Sequence, residues 1–149
     1  MESKANKQKA IISACLIGQK CRYDGICLPV PDLADFKHDY EFIPVCPEVD
    51  GGLGVPRSKA WIKSGTGADV LDGKTTIINE DGLDITAQFI SGAKHTLAQA
   101  LRHNAQKAIL KSKSPSCGKG QVYNYDKLVE GNGVTAELLI RNGIEVIAI

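Results

Sequence analysis

The sequence lacks the features that mark several large classes of protein. Its formal net charge is only +1, so it has no basic character that would indicate a nucleic-acid partner. Aromatic residues make up 5% of the chain, which argues against a surface that stacks on bases. No apolar run approaches the roughly 18 residues of a membrane span, and the polar start MESKANKQKA lacks a secretory signal core. We therefore expect a cytoplasmic protein with no nucleic-acid and no membrane partner.

Internal repeats, low-complexity tracts and recognisable linkers are also missing from the sequence. Its 149 residues, of which 43% are hydrophobic, are enough for a single domain with one sizeable core. We expect one α/β domain over residues 1–149, with residues 1–8 as a flexible N-terminal end.

Helical patterns occur at three places along the chain. The longest covers 86–104, where apolar residues recur at helical spacing. Two further helices are predicted over 133–143 and 31–39. The predicted buried face of the longest helix consists of Phe89, Ala93, Leu97, Ala100 and Leu101.

Four short apolar runs between these helices predict buried strands, over 9–15, 41–48, 107–111 and 144–149. Strands that alternate with helices predict an α/β fold with an open, mostly parallel sheet. The glycine-rich segment 51–81 has no clear period, and we expect it to hold a long loop and a small hairpin around KTTIINEDG (74–82).

Three of the five cysteines fall at the ends of predicted strands. Cys15 closes the first strand, Cys46 closes the second, and Cys117 lies in the loop KSKSPSCGKG after the third. Because the carboxyl ends of parallel strands meet at one rim, where ligands bind, we expect these thiols to share a site. The alternatives are a disulfide framework, which a reducing compartment disfavours, and burial as small hydrophobic residues.

Three converging thiols fit an iron–sulfur cluster better than structural zinc. Structural zinc favours four ligands with C-x-x-C spacing, and this chain has no such pair. A cluster with three cysteine ligands leaves one iron open for chemistry. A non-catalytic zinc, cluster or redox sensor remains an alternative, with Cys21 as a possible additional ligand or redox partner. We interpret Cys27 as a packing residue.

Several polar residues lie close to these cysteines in the sequence. Glu48 follows Cys46 by two residues and could transfer protons, although it could also be a solvated loop residue. Ser114 and Ser116 flank Pro115 just before Cys117, where serine and proline also favour turns. Arg57 is a further candidate for substrate contact, as are Arg22, Tyr23 and Asp24.

Five blocks of sequence, in order along the chain, resemble the 2-thiouracil desulfidase family. They lie between about Ile11 and Val146, so the resemblance covers nearly the whole chain and is more specific than a single motif. It implies a Rossmann-like fold with helices on both faces of the sheet. The blocks read SACLIGQKCRYDG, PVCPEVDGGLGVPR, DITAQFISGA, AILKSKSPSCG and GNGVTAELLIRNGIEV.

The resemblance also implies an oxygen-sensitive 4Fe-4S cluster held by Cys15, Cys46 and Cys117, with the fourth iron open to bind the substrate sulfur. It implies proton transfer or water activation by Glu48 and Ser114. The implied non-redox reaction removes sulfur from a thiocarbonyl compound such as 2-thiouracil, giving uracil and hydrogen sulfide. Soft iron and sulfide suit a soft thiocarbonyl sulfur. The implied partner is a small thiolated nucleobase or similar compound, and we expect a monomer or weak homodimer.

One segment departs from the family pattern. Where such sequences tend to read P-R-P-P-A-E, this chain reads PRSKAW over 56–61. Trp61 replaces an acidic residue and Lys59 adds a positive charge. If this segment lines the pocket, the preferred substrate differs from thiouracil.

Overall fold

The computed structural model describes residues 7–20, 22–26 and 29–149. Cys21 and Cys27 lie outside the described residues, as do residues 1–6. The roles expected for these two cysteines, and the flexible end expected over residues 1–8, therefore stay predictions where residues are not described, whereas Gln8 already belongs to the first strand.

Strands and helices alternate along the described chain, as the sequence predicts. The strands are β1 (Gln8–Ser13), β2 (Tyr40–Val45), β3 (Ala60–Ile62), β4 (Ile77–Asn79), β5 (Lys107–Leu110), β6 (Gln121–Asn124), β7 (Lys127–Glu130) and β8 (Glu145–Ala148). The α-helices are α1 (Ala34–Asp39), α2 (Pro47–Asp50), α3 (Gly67–Leu71), α4 (Thr86–Arg102) and α5 (Val134–Arg141). A 3-10 turn, Ala14–Ile17, follows β1 directly.

The central sheet has four parallel strands in the order β2-β1-β5-β8. These are the four strands predicted from apolar runs, and the expected open parallel α/β sheet is confirmed. Pro44 is tolerated in β2 because this strand is at the sheet edge. From β1 the chain moves to one side for β2 and then to the other side for β5. The boundary between β1 and β5 is thus a topological switch point, where open α/β sheets bind ligands.

Helices cover both faces of this sheet. Ile11, Ala108 and Val146 point to one face, where they join a core cluster with Ala100 of α4 and Leu139 of α5. Ile12 and Ile109 point to the other face and pack with Leu33 and with Phe36 of α1. Neighbouring residues of a strand alternate between faces, so the continuous apolar runs are explained by burial on both sides.

The buried face of α4 differs from the predicted stripe at one residue. Phe89, Ala93 and Ala100 are buried as predicted, together with Gly92 and Thr96, but Leu101 is 60% exposed. Leu101 follows Ala100 by about 100° of helix rotation, which turns it out of the packed stripe.

The predicted hairpin over 74–82 is only partly correct. Ile77–Asn79 does form β4, but its antiparallel partner is β3, which comes before α3 in the chain. A second hairpin, β6 with β7, was not predicted. Three- and four-residue strands carry too short an alternation to be recognised from pattern alone.

No helix in the described part of the chain is both long enough and apolar enough to cross a membrane.

Candidate active site

A cavity of about 270 Å³ opens at the carboxyl ends of β1, β2 and β5. Its volume is far above the roughly 10–15 Å³ that a single water molecule needs, so it can hold a small organic molecule or a cofactor. Its wall includes Ser13, Cys15, Cys46, Glu48, Arg57, Ser114, Ser116 and Cys117. Arg22 and Tyr23 also line it, so the structure brings together every candidate site residue among the described residues except Asp24, which lies outside the wall.

Each of the three cysteines reaches the cavity from a different strand end. Cys15 lies in the 3-10 turn after β1, and Cys46 lies between β2 and α2. Cys117 is in the loop after β5. None of the three is disulfide-bonded. The parallel order of the strands is what gathers thiols that are far apart in the sequence.

A close backbone contact fixes α2, the short helix that carries Glu48 and begins after Cys46. A Cβ atom added at Gly92 of α4 would lie 1.8 Å from the carbonyl oxygen of Pro47. A Cβ atom at Gly51 would similarly lie 2.0 Å from the carbonyl oxygen of Gln88. Only glycine permits this approach, so α2 rests directly on the backbone of α4.

The loop that carries Cys117 is held by Ser114. The Oγ atom of Ser114 accepts hydrogen bonds from the backbone N–H groups of Ser116 (3.0 Å) and Cys117 (2.9 Å). The first turn of α5 fixes the same loop, because the N–H of Val134 donates to Pro115 O and the N–H of Thr135 donates to Ser116 O. This network sets the position of the Cys117 sulfur without help from a disulfide.

The Ser116 side chain mainly stabilises the loop and contributes little to the cavity surface. Its side chain is buried, with 1% exposure, and its hydroxyl shares a 2.7 Å hydrogen bond with the hydroxyl of Thr135. The sequence grouped Ser114 and Ser116 together, but the structure gives them different surroundings.

The surroundings of the Cys117 thiol oppose its ionisation. Burial raises its pKa to about 12, and the negative charges of Glu48 and Cys46 act in the same direction. Hydrogen bonds from Ser13 and Ser116 act in the opposite direction. A bound cation would compensate the negative charge, since metal coordination deprotonates a thiol outright.

The donor set fits an iron–sulfur cluster. Within the described ranges, no group of three or more His, Cys, Asp or Glu side chains is arranged to hold a single metal ion. The three thiols instead surround one cavity, and cysteine thiolates are the usual ligands of iron–sulfur clusters. The zinc alternative depends on Cys21, which the structure does not describe.

Glu48 and Arg57 form an ion pair in the cavity wall. The Nε atom of Arg57 donates to Glu48 Oε2 at 2.8 Å, and Nη2 donates to the same oxygen. The side chains are 18% and 10% exposed, respectively. The carboxylate therefore lies beside the cysteines with a fixed cationic neighbour.

Other cations and aromatic rings also line the cavity. Arg22 donates to Asp24 at 2.9 Å and lies 5.6 Å from the centroid of the Tyr23 ring. Lys59 lies 6.0 Å from the centroid of the Tyr123 ring, and both residues line the cavity.

Trp61 lies outside the cavity wall, so its expected influence on the pocket is not direct. Its ring packs edge-to-face against Tyr125, with centroids 4.7 Å apart. Arg57, Lys59 and Ala60 are the residues of the 56–61 segment that line the cavity, and of these only Lys59 is a charged departure from the family pattern.

Ser13 and Tyr123 are among the cavity-lining residues that sequence reasoning missed. Ser13 ends β1, is 3% exposed, and its Oγ accepts a hydrogen bond from the N–H of Lys111 at 2.9 Å. Tyr123 is in the unpredicted strand β6. The one signal for Ser13 was its place two residues before Cys15, at the predicted strand end.

Comparison with known proteins gives matches over nearly the whole chain. A model of the family described as 2-thiouracil desulfurase matches residues 10–149. The uncharacterized protein YbbK of Bacillus subtilis (strain 168) is 41% identical over 141 residues, which is 93% of each chain. A solved structure described as the 4Fe-4S-dependent thiouracil desulfidase TudS is 38% identical, with a TM-score of 0.82. The match covers 95% of this chain and 91% of that chain.

Proposed function

Because this chain belongs to the 2-thiouracil desulfurase family, we propose that it is an enzyme that removes sulfur from a thiocarbonyl substrate with the help of a 4Fe-4S cluster. 2-Thiouracil is the model substrate, and the products are uracil and hydrogen sulfide. The observation that carries this proposal is the convergence of Cys15, Cys46 and Cys117 on one cavity at the switch point of the sheet.

In this proposal, the three cysteines would hold the cluster and Glu48 and Ser114 would act beside it. When bound, the cluster supplies an open Lewis-acidic iron for the soft sulfur of the substrate. The ligand set leaves the remaining cavity wall, including Glu48 and Ser114, to face the substrate.

Ser114 can act only as a donor toward the cavity. A hydroxyl group has two acceptor positions and one donor proton. Backbone N–H groups occupy its acceptor positions, so its proton is what remains for substrate or water. Glu48 takes the complementary role and accepts a proton from the water that replaces sulfur on the carbon.

The proposal extends to the molecule as a whole. The chain would form one functional domain, work as a monomer or weak homodimer, and meet its small thiolated substrate in the cytoplasm. The cationic Lys59 in the cavity wall gives reason to test thiolated compounds other than 2-thiouracil.

Anaerobic reconstitution with iron and sulfide tests this function. We expect about four irons per chain, as a 4Fe-4S cluster requires, a brown protein and release of hydrogen sulfide from 2-thiouracil. Serine variants of Cys15, Cys46 and Cys117 should each lose the colour and the activity. Glu48→Ala should keep the colour and lose turnover. A colourless but active Cys46→Ser protein would contradict the assignment.

A further inference from the structure

The two oxygens of the Glu48 carboxylate have different surroundings. Both donors of the Arg57 fork, Nε and Nη2, contact the same oxygen, Oε2. No other hydrogen bond to the Glu48 carboxylate is made by the residues that the structure describes, so Oε1 accepts none from them.

The second oxygen is nevertheless not sealed inside the protein. Among the described residues, no buried side-chain nitrogen or oxygen lacks a hydrogen-bond partner. An Oε1 atom without a donor must therefore be accessible, and Glu48 lines the cavity that the three cysteines share. The carboxylate is thus divided into one oxygen fixed by the protein and one oxygen that is open to the cavity.

Arg57 is itself held from several directions. Its Nη1 atom donates to the carbonyl oxygen of Gly54 at 3.0 Å, and its backbone N–H donates to the carbonyl oxygen of Tyr23 at 2.7 Å. Its side chain is only 10% exposed. A guanidinium fixed in this way is pre-organised, so it orients its carboxylate partner at little further entropic cost.

We propose that Arg57 is a positioning residue for the reaction. It occupies Oε2, holds the Glu48 carboxylate in one orientation, and leaves Oε1 to take up a proton at the cavity. This inference rests on the proposed desulfidase function and adds to it a division of labour between the two carboxylate oxygens. Because the guanidinium presents two donors to one oxygen where a lysine offers one charged point, we expect Arg57→Lys to hold the carboxylate less well.

A purely structural ion pair is the competing interpretation. Exposed ion pairs contribute little to stability, and a partly buried pair could serve only to close the wall of the cavity. The two interpretations predict different turnover numbers for Arg57 variants. Only the positioning role predicts a large loss, because misplacing a catalytic group by about 1 Å can lower a rate roughly 100-fold.

The experiment compares Arg57→Lys and Arg57→Ala with the unaltered protein, each reconstituted anaerobically and checked for iron content. We expect intact clusters, a turnover number lowered roughly 10- to 100-fold, and a KM that changes by less than about threefold, because binding is not the step affected. Added guanidinium ion should partly restore turnover to Arg57→Ala, whereas the same concentration of sodium chloride should not.

Arg141→Lys is the matched control. Arg141 is likewise an arginine ion-paired with carboxylates, those of Asp72 and Glu137, but it lies outside the cavity wall. Its substitution should leave turnover unchanged. A double variant, Arg57→Ala with Glu48→Gln, should be no slower than Glu48→Gln alone, because the arginine acts through that carboxylate.

A second measurement does not depend on activity. In the metal-free protein, the denaturant midpoints of Arg57→Ala, Glu48→Gln and the double variant should be non-additive if the two side chains are coupled. Additive midpoints, or full turnover in both Arg57 variants, would overturn the inference. If the unaltered protein binds a cluster but releases no sulfide from 2-thiouracil or from other thiocarbonyl compounds, the proposed function itself fails, and the two failures are thereby distinguished.

Discussion

At the residue scale, the Cys117 thiol links the chemistry of the site to protein stability. In the metal-free protein, burial raises its pKa to about 12, above the roughly 8.5 of an unperturbed thiol. The folded state therefore keeps a proton that the unfolded state loses in alkaline solution. The stabilisation from this proton is complete below the unfolded pKa and decreases as pH rises toward the folded pKa.

We therefore expect the metal-free protein to lose about 1 kcal/mol of unfolding free energy between pH 9 and pH 10 through this one group. Urea unfolding at both pH values measures the loss. Other groups titrate in the same range, so the quantity to compare is the pH dependence of the unaltered protein minus that of Cys117→Ala. Equal pH dependence in the two proteins would show that Cys117 does not titrate as the structure indicates.

Residue types and strand ends made part of the site predictable. Cys15, Cys46 and Cys117 were noticed because each follows an apolar run, and the structure places all three at one cavity. The pairing of Glu48 with Arg57 could not be predicted, because no spacing rule connects a helix start with a loop nine residues later. Ser13 was missed because a serine that ends a strand carries no signal of its own.

At the element scale, the contact between α2 and α4 determines where Cys46 and Glu48 lie. Replacing a glycine in a helix interior by alanine normally raises the free energy of unfolding by about 1 kcal/mol. At Gly92 the same substitution should instead lower the free energy of unfolding, because the added Cβ would lie 1.8 Å from the Pro47 carbonyl oxygen. That oxygen belongs to the backbone and cannot rotate away.

We expect Gly92→Ala to lower the free energy of unfolding by about 1–3 kcal/mol, the usual cost of overpacking, and to retain less iron after reconstitution. Ser91→Ala is the control, since Ser91 is the exposed neighbour on the same helix. Thermal unfolding and iron counting on both variants test this prediction. A Gly92→Ala protein with unchanged stability and iron content would mean that α2 moves without consequence for the site.

The elements themselves differ in how well the sequence predicts them. The strands of the central sheet were found because two-sided burial gives continuous apolar runs such as Ile11 with Ile12. The pairing of β3 with β4 was not predicted, because α3 separates the two strands and each has only three residues. Local pattern identifies a strand, but partners distant in sequence are chosen by packing.

At the scale of the whole molecule, three separate strand ends supply the ligands of the proposed cluster. A ligand that binds only the folded state stabilises it, by about 2.7 kcal/mol when its concentration is 100 times the dissociation constant. For a protein of this size, each kcal/mol raises the melting temperature by about 2–4 °C.

We expect the reconstituted protein to melt roughly 5–10 °C above the metal-free protein, as measured by calorimetry under anaerobic conditions. Chelation of the iron should remove the difference. The Cys46→Ser variant should have the same melting temperature after reconstitution as in its metal-free form. Equal melting temperatures for loaded and metal-free unaltered protein would contradict a cluster that ties the strand ends together.

The loop that holds Cys117 has a consequence for biosynthesis. Its backbone carbonyls accept hydrogen bonds from residues Val134 and Thr135 of α5, and its strand β5 pairs with β8, which ends at Ala148. During synthesis Cys15 and Cys46 emerge early, but the loop of Cys117 gains its partners in α5 and β8 only after those later elements have emerged. If the three cysteines hold a cluster as proposed, we expect its assembly to wait until α5 and β8 are in place.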